Sequence, residues 1–292
     1  MKISAYHKKH NDKCEMYKHF TEYDRVYVSR VFDNLYSTYI DPVFTGKPEV
    51  IHGGTGYGLD NKLPDEIEHM YPDYSLYGIT DSAYGYLTRG CPRGCPFCIV
   101  EKKEGRKSVK VADLKEFWRG QKKIILLDPN ILACRDYPDL LEQLANSGSY
   151  VDFTQGIDSR LLTRENIEML NKIKIQYIHF AWDLPSMEET VLRGLKLYSE
   201  YGKIQDFRNR TVYILTNYNT DHEYDMYRVN TLKKLGFYPF IMIYNKPTAP
   251  KITRVLSRWC NNRWIYMSCK TFEEYMKFEH IVFETKEYRK LW

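Results

Sequence analysis

Residues 88–98 read TRGCPRGCPFC, and this short stretch decides most of what the sequence says about fold and chemistry. It places Cys91, Cys95 and Cys98 within eight residues, in the spacing C-x3-C-x2-C. Three thiolates on one loop can hold three corners of a cubic iron–sulfur cluster and leave the fourth iron free, whereas electron-carrying clusters normally have four cysteine ligands. The spacing therefore predicts a cluster with one open iron, which suits catalysis.

The loop resembles the signature loop of the radical S-adenosylmethionine (SAM) superfamily, which has this spacing and usually an aromatic residue before the last cysteine. Phe97 occupies that place. The resemblance implies a 4Fe–4S cluster whose open iron chelates the amino and carboxylate groups of SAM. One electron from the cluster then cleaves SAM to a 5′-deoxyadenosyl radical, which removes a hydrogen atom from a substrate. It also implies an electron-donating partner such as flavodoxin or ferredoxin.

Two residue types in the loop have a conformational use. Gly90 and Gly94 permit backbone dihedrals that wrap a loop tightly around a cluster. Pro92 and Pro96 restrict the backbone between the cysteines.

A zinc site is the alternative interpretation of the three cysteines. A structural zinc site is normally closed by four Cys or His ligands, often with a second C-x2-C pair, and this chain has no second pair. A fourth ligand from His69 or His52 stays open. The rival function is then a non-catalytic zinc or iron–sulfur module that binds nucleic acid. The other cysteines are isolated: Cys14, Cys134, Cys260 and Cys269.

Length and composition favour a cytoplasmic enzyme. The chain has 292 residues, enough for one large domain or one with a smaller companion, and seven cysteines, an odd number that argues against a disulfide framework. Because no apolar run approaches the roughly 20 residues that span a bilayer, and no secretory signal opens the chain, we expect no membrane partner. The net charge of +5 is modest. Residues 102–110 are locally basic, so an anionic substrate is an open possibility.

Strands and helices alternate after residue 80, which predicts a parallel sheet covered by helices. Six strand–helix units are too few for a closed eight-stranded barrel, and they match the open (βα)6 partial TIM barrel of the radical SAM superfamily. The cysteine loop follows the first strand, where ligands bind in parallel α/β folds. The predicted strands start at Tyr84, Lys123, Tyr150, Gln176, Arg210 and Tyr238, and the first of them covers residues 84–88. Helices are predicted over residues 111–118 and 162–173, the second with the Thr163 side chain as its N-terminal cap.

Polar residues at the other strand ends are the candidate cofactor contacts. Asp128 and Asn130 follow the second strand, where the superfamily often has a Gly-Gly-Glu-like segment that holds the SAM amino group, although the glycines are missing here. A turn or helix cap is the alternative there. Arg160 has the planar fork to pair with the SAM carboxylate, and a surface salt bridge is its alternative. The remaining candidates for SAM or substrate are Gln155, Asp158 and Asn217. Trp182 and Asp183 end the fourth strand, and His179, inside that strand, is interpreted as a satisfied core histidine.

The first part of the chain differs from the barrel pattern. Residues 1–78 resemble a shortened, small α/β domain of the cobalamin-binding type, and residues 79–292 correspond to the radical SAM barrel with a C-terminal extension. The cobalamin ligand motif Asp-x-His-x-x-Gly is absent, so we expect no bound cobalamin.

Overall fold

The computed structural model describes residues 1–32 and 43–279. Residues 33–42 of the expected N-terminal domain and residues 280–292 of the expected C-terminal extension lie outside this description.

The fold is α/β, with a six-stranded parallel sheet flanked by helices. The strands in chain order are β1 (Arg25–Ser29), β2 (Glu49–Gly53), β3 (Ser82–Gly85), β4 (Thr88–Arg89), β5 (Val109–Lys110), β6 (Lys123–Leu126), β7 (Tyr150–Phe153), β8 (Ile175–Ala181), β9 (Arg210–Thr216) and β10 (Tyr238–Ile243). The main sheet has the order β3-β6-β7-β8-β9-β10, and every neighbouring pair in it is parallel. This architecture is compatible with an open α/β barrel.

The helices in chain order are α1 (Lys2–Lys9), α2 (Asp65–Glu68), α3 (Val100–Glu104), α4 (Tyr137–Ser147), α5 (Arg164–Lys172), α6 (Glu188–Tyr201), α7 (His222–Lys234), α8 (Lys251–Asn261), α9 (Arg263–Ser268) and α10 (Phe272–Phe278). Helices α4 to α7 each connect two adjacent strands of the sheet. The predicted cap of α5 is confirmed, because the Thr163 hydroxyl accepts from the Asn166 N–H and the Asn166 side chain binds back to Thr163.

The two faces of the sheet differ in burial. Alternate residues along each central strand, such as Ile124, Phe153 and Ile178, are at most 3% exposed and belong to the same core as the buried faces of α4 to α7. The intervening residues of β6, β7 and β8, among them Asp152 and His179, are at most partly buried. Because side chains alternate between the faces of a strand, the helices cover one face and the other is left partly open.

The first crossover departs from the predicted pattern. A helix was expected over residues 111–118, but only one 3-10 turn forms, at Leu114–Glu116, inside a capping box made by Asp113 and Glu116. The chain then turns away because the Phe117 ring packs directly over Gly85, where a Cβ would lie 2.4 Å from the ring. The expected first strand over 84–88 is likewise divided between β3 and β4, which belong to different sheets.

The N-terminal residues form a separate two-stranded parallel sheet from β1 and β2. Among the contacts that attach α1 to the segment before the main sheet, Lys2 pairs with Glu68, and the Ser4 hydroxyl bonds to Asp73 at 2.5 Å. Both hold the start of the chain beside the segment that leads into β3.

Helix α8 lies against β10, the last strand of the sheet. The Asn261 side chain accepts from the Ile241 N–H at 2.8 Å and donates to the Ile241 carbonyl oxygen at 2.9 Å. None of the helices in the described ranges is long and apolar enough to cross a bilayer.

Candidate functional site

The cysteine loop leaves the main sheet after β3 and is closed at its base by an antiparallel ladder between β4 and β5. The Cys91 N–H donates to the Gly105 carbonyl oxygen at 3.2 Å, and the Cys98 N–H donates to that of Cys95 at 2.9 Å. All three thiols are free and partly exposed. The loop is therefore tightly folded while its sulfur atoms stay accessible.

Both loop glycines occupy positions that other residues could not take without strain. Gly90 has φ +84°, and a Cβ there would lie 2.1 Å from the Lys107 carbonyl oxygen. Gly94 has φ +59°, and a Cβ there would lie 2.8 Å from the Glu101 carboxylate. The tight wrapping predicted from the sequence is thus confirmed at these two positions.

An ion-pair chain joins the loop to the N-terminal region. Arg89 pairs with Glu104 at 3.1 Å and with Glu68 at 3.2 Å, and Glu104 also accepts from the Gly90 N–H at 3.2 Å. Lys2 binds the same Glu68 carboxylate. The first turn of the loop is therefore fixed from both sides.

Asp128 supports the loop from the end of β6. Its carboxylate accepts from the Leu87 N–H at 3.1 Å, the Thr88 N–H at 2.5 Å and the Thr88 hydroxyl at 2.7 Å. The residue is 5% exposed, and this burial raises the pKa of Asp128 to about 6 despite the three donors. Both oxygens are committed to the backbone before the cysteines, so the structure gives Asp128 a supporting position rather than a free cofactor-facing carboxylate.

The Asp158 carboxylate connects the ends of three strands by hydrogen bonds. It accepts from Arg93 Nε of the cysteine loop at 2.7 Å, from Asn130 Nδ2 after β6 at 3.1 Å, and from Arg160 Nε and Nη2 at 2.7 and 3.0 Å. Burial alone would raise the pKa of Asp158, but Arg160 and Arg93 outweigh it and the pKa is lowered. The carboxylate is therefore ionised and locks the cysteine loop onto the edge of the sheet.

The Arg160 fork is already occupied by Asp158. Its remaining Nη1 lies 3.0 Å from Met187 Sδ. The expectation that this fork pairs with a cofactor carboxylate therefore does not fit its contacts here. These contacts match the alternative of a salt bridge. The bridge between Arg160 and Asp158 is largely buried at the site, however, and does not lie on the surface.

Two N–H groups point at cysteine sulfurs. Asn130 Nδ2 lies 3.6 Å from Cys91 Sγ, and the Val100 N–H lies 3.5 Å from Cys98 Sγ. The orientation of the Asn130 amide follows from Asp158, because a carboxylate only accepts and must face the NH2 group. Asn130 Oδ1 is consequently turned away, buried and without a partner in the part of the chain that the structure describes.

Charges around the cysteines come from the ends of two strands, β7 and β8. Burial raises the pKa of the Cys95 thiol, and the positive charge of Arg160 opposes this while Asp183 adds to it. Burial also raises the pKa of the Cys98 thiol, and the charge of Asp183, just after β8, adds to this. Burial raises the pKa of Asp183 itself to about 6, against the nearby charges of Arg228 and Arg160.

Phe97 connects the cysteine loop to the far side of the sheet. Its ring packs edge-on against Tyr218 at 5.4 Å, and Tyr218 packs against Tyr244 at 4.9 Å. Asn217 donates from Nδ2 to the Tyr244 carbonyl oxygen at 2.7 Å, so its amide group holds the ends of β9 and β10 together. The loop after β3 thus reaches the last two strands.

Gln155 is exposed and has no hydrogen bond to another described residue. It lies between β7 and Asp158, which leaves it available to a ligand. Of the residues predicted from the sequence, the structure brings together the cysteines with Asn130, Asp158 and Arg160.

Two site residues were missed by sequence reasoning as site members. Arg93 sits between the first two cysteines, and its pairing with a residue 65 positions away has no local signal. Asp183 was noted only as a strand end, although a carboxyl directly after an apolar strand is the signal that singled out Asp128.

The open face of the sheet carries a polar group below the cysteine edge. His179 Nδ1 donates to the Phe153 carbonyl oxygen at 3.2 Å and lies 3.6 Å from Asp152 Oδ1. The His179 ring stacks on Tyr213 at 5.2 Å, and the Tyr213 hydroxyl donates to the Thr154 carbonyl oxygen at 3.0 Å. His179, expected as a satisfied core histidine, does have a partner, but it faces the open side.

Within residues 1–32 and 43–279, no three His, Cys, Asp or Glu side chains form a group that could hold a metal ion. Burial lowers the pKa of His179 and of His222, which favours the neutral form of both rings.

Comparison with known proteins gives no assignment, since no protein-family model matches the chain and no curated protein matches it significantly.

Proposed function

We propose that this protein is a radical SAM enzyme, in which Cys91, Cys95 and Cys98 bind a 4Fe–4S cluster that reductively cleaves SAM to a 5′-deoxyadenosyl radical for hydrogen abstraction. The observation that carries the proposal is the C-x3-C-x2-C loop, held at the end of the first strand of the parallel sheet. Parallel α/β folds bind ligands at that edge.

The fit of the cysteines to a cluster rests on the donors around them. Thiolates bound to iron carry negative charge, and hydrogen bonds to the sulfurs stabilise that charge. Asn130 and the Val100 N–H are placed as such donors, and the Arg160 charge lies close to Cys95. The three sulfur atoms also need not converge on one point, as they would around a single ion, because each cysteine binds a different iron of a cubic cluster.

The strand order supports the partial TIM barrel as the form of the sheet. Strands β3, β6, β7, β8, β9 and β10 follow one another both in the chain and in space. Crossovers between parallel strands are right-handed almost without exception, so a sheet that always advances in one direction carries all its helices on one face. A barrel, whole or partial, has that property, whereas a doubly wound sheet does not.

Two groups at the cysteine edge suit SAM. Asn130 Oδ1 is a buried acceptor that lacks a partner among the described residues, and a buried unpaired acceptor costs free energy until a donor such as an ammonium group meets it. The Asp183 carboxyl faces the cysteines from β8 and can accept from an ammonium or from hydroxyl groups. Gln155 is free to join them.

The substrate would lie beside SAM on the open face of the sheet. There His179 Nε2 is an acceptor, because Nδ1 carries the proton given to Phe153, and the lowered pKa of His179 keeps the ring neutral. The exposed basic residues near the loop, including Lys102 and Lys107, favour an anionic substrate. We therefore lean towards a nucleotide, nucleic-acid or peptide substrate.

Anaerobic reconstitution with iron and sulfide, followed by incubation with SAM and a reductant, tests the proposal. We expect close to four irons per chain and formation of 5′-deoxyadenosine. Replacing any one of Cys91, Cys95 or Cys98 by Ala removes both, whereas Cys14→Ala, a matched cysteine outside the loop, keeps both. Stoichiometric zinc without an iron chromophore, or four irons without SAM cleavage, contradicts the proposal.

A further inference from the structure

Asn130 is placed to do more than contact SAM. Its Nδ2 has two hydrogens and two acceptors: Asp158 Oδ2 at 3.1 Å and Cys91 Sγ at 3.6 Å. The residue is 3% exposed, so water does not compete for either contact. We propose that Asn130 donates a hydrogen bond to the Cys91 thiolate and thereby raises the reduction potential of the cluster, with Asp158 as the positioning residue that holds the amide in place.

The direction of the effect follows from charge. Reduction adds an electron to a cluster that is already surrounded by thiolates, so a hydrogen-bond donor stabilises the reduced form more than the oxidised form. Hydrogen bonds to the sulfurs are among the factors that set the potential of an iron–sulfur cluster. In a buried site the contact is stronger than in water, because the surrounding dielectric constant is low.

Asp158 fixes the geometry from the opposite side. Its carboxylate is bound by Arg93 and twice by Arg160, and its side chain is 6% exposed. Since it accepts only, it forces the NH2 group of Asn130, rather than the oxygen, toward Cys91. Arg93 belongs to the cysteine loop itself, so the same carboxylate also sets the distance between that loop and Asn130.

The backbone of Asn130 is held independently of this contact. The Ser108 hydroxyl donates to the Asn130 carbonyl oxygen at 2.8 Å. Ser108→Ala therefore removes a buried hydrogen bond beside Asn130 without removing a donor to sulfur. This provides a matched control for structural disturbance.

The inference rests on the proposed function, and a redox titration followed by electron paramagnetic resonance tests it. The reconstituted full chain is titrated without SAM, so that a role of Asn130 in SAM binding does not enter. We expect a more negative midpoint potential for Asn130→Leu, a smaller negative shift for Asp158→Glu, which keeps the charge but moves the carboxylate relative to Asn130, and the wild-type value for Ser108→Ala, all at equal iron content.

Several outcomes would decide against it. An unchanged potential in Asn130→Leu at full iron content overturns the inference while leaving the proposed function intact. If Asn130→Leu binds no iron, the shift in Asp158→Glu decides, and loss of iron from both variants makes these residues structural and also overturns it. Absence of a cluster from the wild-type chain contradicts the proposed function itself.

Discussion

The replacement Asp128→Asn should change how stability depends on pH. Asp128 is 5% exposed, and burial raises its pKa from 3.8 to about 6 although three donors bind its carboxylate. An acid whose pKa is raised by folding contributes most stability while it is protonated, below the pKa of the unfolded chain. That contribution is lost as the pH rises through the folded pKa. The native protein should therefore lose stability between about pH 4 and pH 7 through this one group.

The size of the effect follows from the shift. One pKa unit corresponds to about 1.4 kcal/mol, so a shift of roughly two units is worth about 3 kcal/mol. Asn has the shape of Asp but cannot ionise. Its NH2 group faces one of the three donors, and the free-energy cost of that mismatch is the same at every pH. The difference in unfolding free energy between Asp128→Asn and wild type should thus move by about 3 kcal/mol in favour of the variant as the pH rises from 4 to 7.

Urea denaturation followed by circular dichroism, at several pH values and with reduced, iron-free protein, measures this difference. All other titrating groups cancel between the two proteins. Parallel profiles, within about 1 kcal/mol, would refute the reasoning. A slope of opposite sign would show that the hydrogen bonds from Leu87 and Thr88 outweigh burial and lower the pKa of Asp128.

Three further changes test other contacts. Gly90→Ala should reduce iron binding far more than Gly105→Ala. Both positions have φ near +90°, but only at Gly90 would a Cβ meet the backbone, at 2.1 Å from the Lys107 carbonyl oxygen. The iron content per chain after reconstitution measures this, and equal losses in the two variants would contradict it. Thr163→Ala should lower the unfolding free energy by about 1 kcal/mol, since it removes the cap of α5, and an unchanged urea midpoint would count against that role. Arg160→Lys should lower the free energy of unfolding by about 1 to 3 kcal/mol, because the two-pronged bond to Asp158 is lost, while SAM affinity changes little. A large loss of SAM affinity at unchanged stability would indicate that the Arg160 guanidinium binds the cofactor instead.

Local patterns predicted the sheet well and the first crossover poorly. The apolar run at Lys123 and the cap at Thr163 depend on neighbours within a few residues, so β6 and the start of α5 could be located from sequence. The expected helix over 111–118 failed because Phe117 is held by Gly85, a contact made by the folded sheet. Helical spacing carries no information about such a partner.

In the candidate site, too, local features could be predicted from the sequence and long-range contacts could not. The cysteine spacing identifies the loop, because all three thiols lie on one short segment. Arg160 was selected from the sequence as a partner of a cofactor carboxylate, whereas in the structure its fork binds Asp158 two positions away. The contacts of Asp158 with Arg93 and Asn130 could not be predicted in this way. These two residues follow other strands, and only the folded sheet brings them together.

The edge of the sheet at β10 has a consequence for recognition. Asn261 occupies the outward N–H and carbonyl of Ile241, and Pro239, two residues earlier, has no N–H to offer. An exposed edge strand would otherwise invite a foreign strand to pair with it, as in aggregation or peptide capture. Neither Ile241 nor Pro239 therefore offers a free N–H to a foreign strand, which disfavours strand addition of an extended peptide at this edge. A polymeric substrate held at this edge would then be recognised through its side chains or bases rather than through its backbone.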